Sequence, residues 1–149
     1  MIHELSTDVS WNTYGCFYDL MAQHNPSYRS LQDMYRKFLL GIHIPAGGQF
    51  VDIGVGTGNF SMLAAAAFPN ARILHLDSSS TMNAVARNKA RDFGIKNIEF
   101  FDQHVDADAF SLESFDCLCS LHSLYDSRTY KASCCNGALV TSRGLCISV

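Results

Sequence analysis

At 149 residues, with 48% hydrophobic and 17% charged residues, the chain is long enough to bury one real core and is not composed like a disordered or fibrous protein. A formal net charge of −3 and 11 scattered Lys and Arg exclude the basic stripe that tracks nucleic-acid phosphates, so no nucleic-acid partner is expected. There is no apolar run of membrane-spanning length, and Met1-Ile2-His3-Glu4 lacks the cationic start and apolar stretch of a signal peptide; the expected location is cytoplasmic, with no membrane partner.

In chain order, the first periodic stretch runs from Tyr28 to Leu40. It places Leu31, Met34, Tyr35, Phe38 and Leu39 at i, i+3, i+4, i+7 and i+8, one face of a helix, with Gly41 suited to its end. After the turn Pro45-Ala46-Gly47-Gly48, the run Phe50-Val51-Asp52-Ile53 reads as a short buried strand that ends at a glycine-rich loop. Asn59 is then placed to cap a helix through Met62, Leu63 and four alanines, stopping before Pro69. Ile73 to Leu76 gives a second strand. Ser79 or Ser80 opens a second helix with Met82, Val85, Ala86 and Phe93 on one side, ended by Gly94. Ile98 to Phe101, Phe115 to Ser120 and Gly144 to Val149 read as third, fourth and fifth strands. Strand and helix thus alternate. The pattern predicts an α/β, doubly wound, mostly parallel sheet of about five strands with helices on both faces, its ligand at the carboxyl ends of the strands. Residues 1–45 form an N-terminal helical segment and residues 46–149 the core.

The six cysteines, Cys16, Cys117, Cys119, Cys134, Cys135 and Cys146, show neither paired Cys-x-x-Cys spacing nor a match to histidine ligands. They are read as free thiols, those in apolar runs as small buried hydrophobes, and no metal site is expected.

The glycine loop Asp52-Ile53-Gly54-Val55-Gly56-Thr57-Gly58 narrows the ligand. A P-loop needs Gly and then Lys where Asn59 and Phe60 stand, and the dinucleotide fingerprint needs glycine at position 59. Neither phosphate motif fits. The run Val51 to Gly58, an acid followed by glycines at alternate positions, instead resembles the first motif of class I S-adenosylmethionine-dependent methyltransferases.

That resemblance implies a Rossmann-like fold with S-adenosylmethionine as cofactor. It implies that Asp52 orients the methionyl amino group, partly through water, while Gly54, Gly56 and Gly58 leave room for the ligand. At the end of the second strand, Asp77, followed by Ser78, is placed to accept from two ribose hydroxyls. Met82 resembles the residue packed on adenine. Asp106-Ala107 is matched to the acid and small residue that read the adenine edge, with Asp102-Gln103 as the alternative. Ser120 and His122, within a segment similar to the fourth-strand motif, border the transfer site, and His122 is the candidate base. Trp11 to Met21 looks like an aromatic lid, from which Tyr14 or Tyr18 reaches the methionyl carboxylate. The expected activity is in-line methyl transfer to a small-molecule acceptor. The chain ends before the last two strands of the full fold, so it reads as C-terminally truncated, and its fifth strand as an apolar edge suited to homo-oligomerisation or strand exchange. The other readings are a cofactor-binding module or partner subunit without activity, and a truncated product of a longer methyltransferase.

Overall fold

The structure is a computed structural model that describes residues 11–103, 115–120, 138–140 and 145–147. Two helices precede the first strand: α1 (Trp11–His24) and α2 (Pro26–Gly41). Asn25 opens α2 by accepting the Ser27 N–H at 3.0 Å, and Pro26 fills the first helical position, where an N–H is not needed. On the face predicted for α2, Tyr35 and Leu39 are buried and Leu31 and Phe38 half-buried, but Met34 points to solvent.

The main sheet holds four parallel strands, β1 (Gln49–Ile53), β2 (Arg72–Asp77), β3 (Ile98–Asp102) and β4 (Cys117–Ser120), in the order β3-β2-β1-β4. Helix α3 (Asn59–Ala67) crosses from β1 to β2, and α4 (Ser80–Asp92) from β2 to β3. The chain moves outward from β1 to β3 and then returns to the other side of β1. That reversal opens a crevice at the carboxyl ends of β1 and β4, the place where open α/β sheets bind ligands.

Strand alternation sets the two faces. Phe50, Ile73, Cys117 and Cys119 meet Tyr35 and Leu39 of α2 and Phe60, Ala64 and Ala65 of α3 in one core cluster, where both cysteines are buried. The alanines let α3 lie close to the sheet. Met62, Ala86 and Ala90 continue this layer to Ile98 and Phe100. The opposite face presents Val51, Ile53, Leu76 and Leu118 with Phe115.

The structure corrects three expectations and decides between the two caps offered for α4. Gly58, in a left-handed conformation, is the N-cap of α3 and offers no side-chain bond, so Asn59 is free for other partners. Ser79 alone caps α4, through the Met82 N–H. Phe93 lies just beyond the buried side of α4 and is 70% exposed. The fifth strand does not join the parallel ladder: among the described residues β5 (Ala138–Val140) and β6 (Leu145–Ile147) pair antiparallel, β6 lies against β4, and the parallel sheet has four strands where about five were expected. So short a connection permits a hairpin, whereas a parallel partner needs a crossover of about a dozen residues. The pairing also gives Leu145–Ile147 a partner strand within the chain. No helix among the described residues is long and apolar enough to cross a membrane, and no cluster of three or more metal-ligating side chains occurs among them.

Candidate functional site

Between β1 and α3 the backbone passes through three glycines with positive φ, Gly54 at 65°, Gly56 at 57° and Gly58 at 81°. Their N–H groups go to the Leu76 carbonyl, the Asp77 Oδ2 and the Val55 carbonyl. The glycines do different work. A Cβ at Gly58 would stand 2.9 Å from the Ala86 Cβ and 3.3 Å from the His75 ring, so this glycine lets α4 approach the strands. Among the described residues a Cβ at Gly56 would meet only the Met82 sulfur, at 3.7 Å, so they leave the backbone here open to close approach.

Asp77 stands at the end of β2, where both carboxylate oxygens accept backbone hydrogens, Oδ2 from Gly56 and Oδ1 from Ser79, at 2.8 Å each. The acid therefore ties the loop to the start of α4 while keeping further lone pairs for a ligand. Ser78 beside it is exposed. Met82 is buried under α1, its sulfur 3.3 Å from where a Gly15 Cβ would be, so a ring stacking on Met82 displaces α1 at that point. Asp102 ends β3, paired with Arg87 and accepting from Asn83, and these two donors hold its carboxyl below the usual range. Ser120 is buried at the end of β4, in register with Ile53. Asp106, Ala107 and His122 lie outside the described residues.

Below the loop, Asp52 is completely buried. The Ser61 Oγ lies 2.9 Å from Asp52 Oδ2 and 2.9 Å from His75 Nδ1, while Asp52 Oδ1 is buried without a partner. Burial raises the Asp52 carboxyl to about 8, the Asp77 charge adding to it and the Ser61 hydroxyl opposing. Burial likewise lowers the His75 imidazole to about 4, against the pull of Asn83.

Above the loop sits α1. Tyr18 packs edge-on against Tyr14 and Tyr28, and the next residue, Asp19, reaches the loop itself. Its carboxylate accepts from the Thr57 hydroxyl at 2.6 Å and the Asn59 amide at 3.0 Å, and pairs with Lys89 of α4 at 2.6 Å. Asn59 also donates to the Tyr28 hydroxyl and accepts from Lys89. Desolvation lowers the Lys89 ammonium, which Asp19 partly offsets.

Of the residues singled out in the sequence, Asp52, the three glycines, Asp77, Met82 and Ser120 therefore gather around the carboxyl ends of β1, β2 and β4, with α1 above them. Ser61, His75, Asn83 and Asp19 were not foreseen. The alternation of β2 puts His75 on the same face as Asp77, and that signal was available. Nothing local in the sequence pairs Asp19 with Thr57.

A family model described as a methyltransferase domain matches residues 50–136. The ribosomal RNA small subunit methyltransferase H of Rippkaea orientalis is 30% identical over 77 residues, 52% of this chain and 25% of that protein. The carboxy-S-adenosyl-L-methionine synthase of Campylobacter jejuni is 27% identical over 100 residues, 66% of this chain and 42% of that protein. The chain thus spans between 25% and 42% of the length of these curated relatives. Among solved structures, the YcgJ protein of Bacillus subtilis superposes with a TM-score of 0.55 at 21% identity, covering 65% of this chain and 41% of that one. Geranyl diphosphate C-methyltransferase of Streptomyces coelicolor, solved with S-adenosyl-L-homocysteine, gives 0.55 at 17% identity, covering 64% and 37%. These two share the fold.

Proposed function

The chain belongs to the methyltransferase domain family, and on that premise we propose that it binds S-adenosylmethionine at the glycine loop and transfers its methyl group in line to a small-molecule acceptor. The observation that carries the reading is the unpartnered Asp52 oxygen beneath an open glycine backbone. A buried acceptor without a donor is costly, and an ammonium group is the donor that suits a carboxyl. Met82 and Asp77 both adjoin Gly56 at the strand ends, the sulfur 3.7 Å from where a Gly56 Cβ would be and the carboxylate 2.8 Å from its N–H, which supports an adenosyl group there.

When bound, the cofactor supplies a methyl already activated by a positive sulfur. The chain's own residues position and enclose. Asp52 Oδ1 accepts from the amino group, Asp77 from the ribose hydroxyls beyond the two backbone bonds it already takes, and the Asp102 or Asp106 carboxylate from the adenine amino group. Met82 would pack on the ring, which requires α1 to give way at Gly15, and α1 would cover the site. Such alignment supplies up to ~7–11 kcal/mol of the barrier. Ser120 borders the transfer site, and His122 serves as base where the acceptor arrives protonated.

A small-molecule acceptor fits a chain of net charge −3. The relation to a ribosomal RNA methyltransferase favours RNA as a second reading, but RNA binding needs a basic surface. Calorimetric titration with S-adenosylhomocysteine tests the pocket. Wild type is expected to bind, and Asp77→Ala to bind at least ~10-fold more weakly, the loss of one charge-assisted pair. Absence of binding to wild type refutes the cofactor assignment. S-adenosylhomocysteine release with a panel of acceptors, RNA included, then separates the two substrate classes and a binding module without activity.

A further inference from the structure

Asp52, Ser61 and His75 form a continuous polar chain beneath the glycine loop, and the hydrogens available to it determine where its protons sit. The inventory starts at Asn83. Its amide nitrogen serves three acceptors, the Asp77 carbonyl at 2.9 Å, the Phe101 carbonyl at 3.4 Å and Asp102 Oδ1 at 2.6 Å, which fixes the amide with Oδ1 as a pure acceptor. That Oδ1 and the His75 Nε2 are both buried and unpartnered, and the Asn83 side chain favours the protonated ring. A hydrogen on Nε2 is the one that an acceptor at Asn83 favours.

A neutral imidazole with its hydrogen on Nε2 presents a lone pair at Nδ1, which takes the Ser61 hydroxyl hydrogen across 2.9 Å. Ser61 has one hydrogen. Its other contact, to Asp52 Oδ2 at 2.9 Å, then needs a hydrogen from the carboxyl. We propose that Asp52 is a neutral, protonated acid in the free protein, linked through Ser61 to His75, and that a primary ammonium docking on its free oxygen expels the proton. This rests on the cofactor reading above for the identity of the ammonium, the amino group of S-adenosylmethionine.

The step balances. Before binding, three hydrogens occupy Asp52 Oδ2, Ser61 Oγ and His75 Nε2. Afterwards two remain, the Ser61 hydroxyl turned to the Asp52 carboxylate and the His75 hydrogen on Nδ1 facing Ser61, and one proton has gone to solvent. His75 stays neutral because a second buried cation beside the ammonium is unfavourable. The groups around Asp52 agree. They are Ser61 on α3, His75 and Asp77 on β2, Tyr28 and Tyr35 on α2 and Cys119 beside it on β4, none of them a fixed cation. Arg87 and Lys89 on α4 oppose charge on His75, while Asp102 on β3 favours it.

The test uses the full chain. In the free protein, nitrogen chemical shifts of the His75 ring are expected to show the neutral Nε2–H form from pH 5.5 to 7.5, and the Asp52 carboxyl carbon to titrate above pH 6. A neutral ring with its hydrogen on Nδ1, an imidazolium in that range, or an Asp52 midpoint in the ordinary carboxylate range would overturn the proposal. With S-adenosylhomocysteine at pH 6, calorimetry in buffers of different ionisation enthalpy is expected to show about one proton released per ligand, affinity falling ~10-fold per pH unit below the Asp52 midpoint, and His75 switching to Nδ1–H. Binding without proton release, or without the switch, also overturns it. Asp52→Asn is expected to bind more weakly with no proton release, and Ser61→Ala to uncouple the His75 form from the Asp52 titration. If wild type keeps the free-state pattern but S-adenosylhomocysteine does not bind, the cofactor reading fails and methylammonium, in place of S-adenosylhomocysteine, must then lower the Asp52 midpoint for the relay to stand.

Discussion

Replacing Asp52 by Asn should stabilise the fold at neutral pH while damaging the site. The folded carboxyl titrates at about 8 against an ordinary 3.8 because it is completely buried. Between those values the unfolded chain is ionised and the folded one keeps its proton, so stability falls as pH rises through that window. At ~1.4 kcal/mol per unit, reduced by local relaxation around the charge, the penalty reaches about 2–5 kcal/mol near pH 8. His75 acts in the opposite sense. Its folded value is lowered to about 4 from 6.5, so its contribution is present above pH 6.5 and is lost as pH falls toward 4. In wild type the two slopes oppose each other between pH 4 and 6.5, and only the Asp52 loss remains from 6.5 to 8. Asparagine has the shape of the neutral acid and no titration. Urea midpoints at pH 5, 6, 7 and 8 are expected to place Asp52→Asn above wild type by a margin that widens with pH. A variant less stable than wild type at pH 8, or offset by the same amount throughout, would refute the reasoning.

The two glycines should separate packing from binding. Gly58→Ala meets the Ala86 Cβ at 2.9 Å with φ at 81°, and is expected to cost about 2–4 kcal/mol in urea denaturation. Gly56→Ala, strained at φ 57° but uncrowded, should cost about 1 kcal/mol in the same measurement and lose proportionally more S-adenosylhomocysteine affinity in titration. Asp19→Ala leaves the Lys89 ammonium with Asn59 but no carboxylate and removes the acceptor of Thr57 and Asn59, so a loss of about 2–3 kcal/mol in urea denaturation is expected. Asp19→Ala with Lys89→Met should recover part of that loss, and a double variant no better than the single one would argue against charge as the cause.

The sheet was legible because its signals are local. Buried parallel strands read as short apolar runs, glycines with positive φ mark the turn, and Pro69 and Gly94 stop the helices after them. Asp77 was legible for the same reason, since the end of β2 lies next to the start of α4. The fifth strand was misplaced because periodicity reports that a segment is a strand but carries no information on its partner. The distance along the chain between 140 and 145 chose the hairpin.

By itself, the sequence determined the alternation of strand and helix, the glycine loop and the exclusion of phosphate motifs, because each follows from residues adjacent in the chain. Only the tertiary structure decided which glycine serves packing and which leaves its backbone open, that Asp19 fastens α1 to the loop, and that Asp52, Ser61 and His75 stand within hydrogen-bond distance in one chain. Those facts depend on side chains brought together from three or four elements. Burial, which no local pattern records, raises the Asp52 carboxyl and lowers the His75 imidazole.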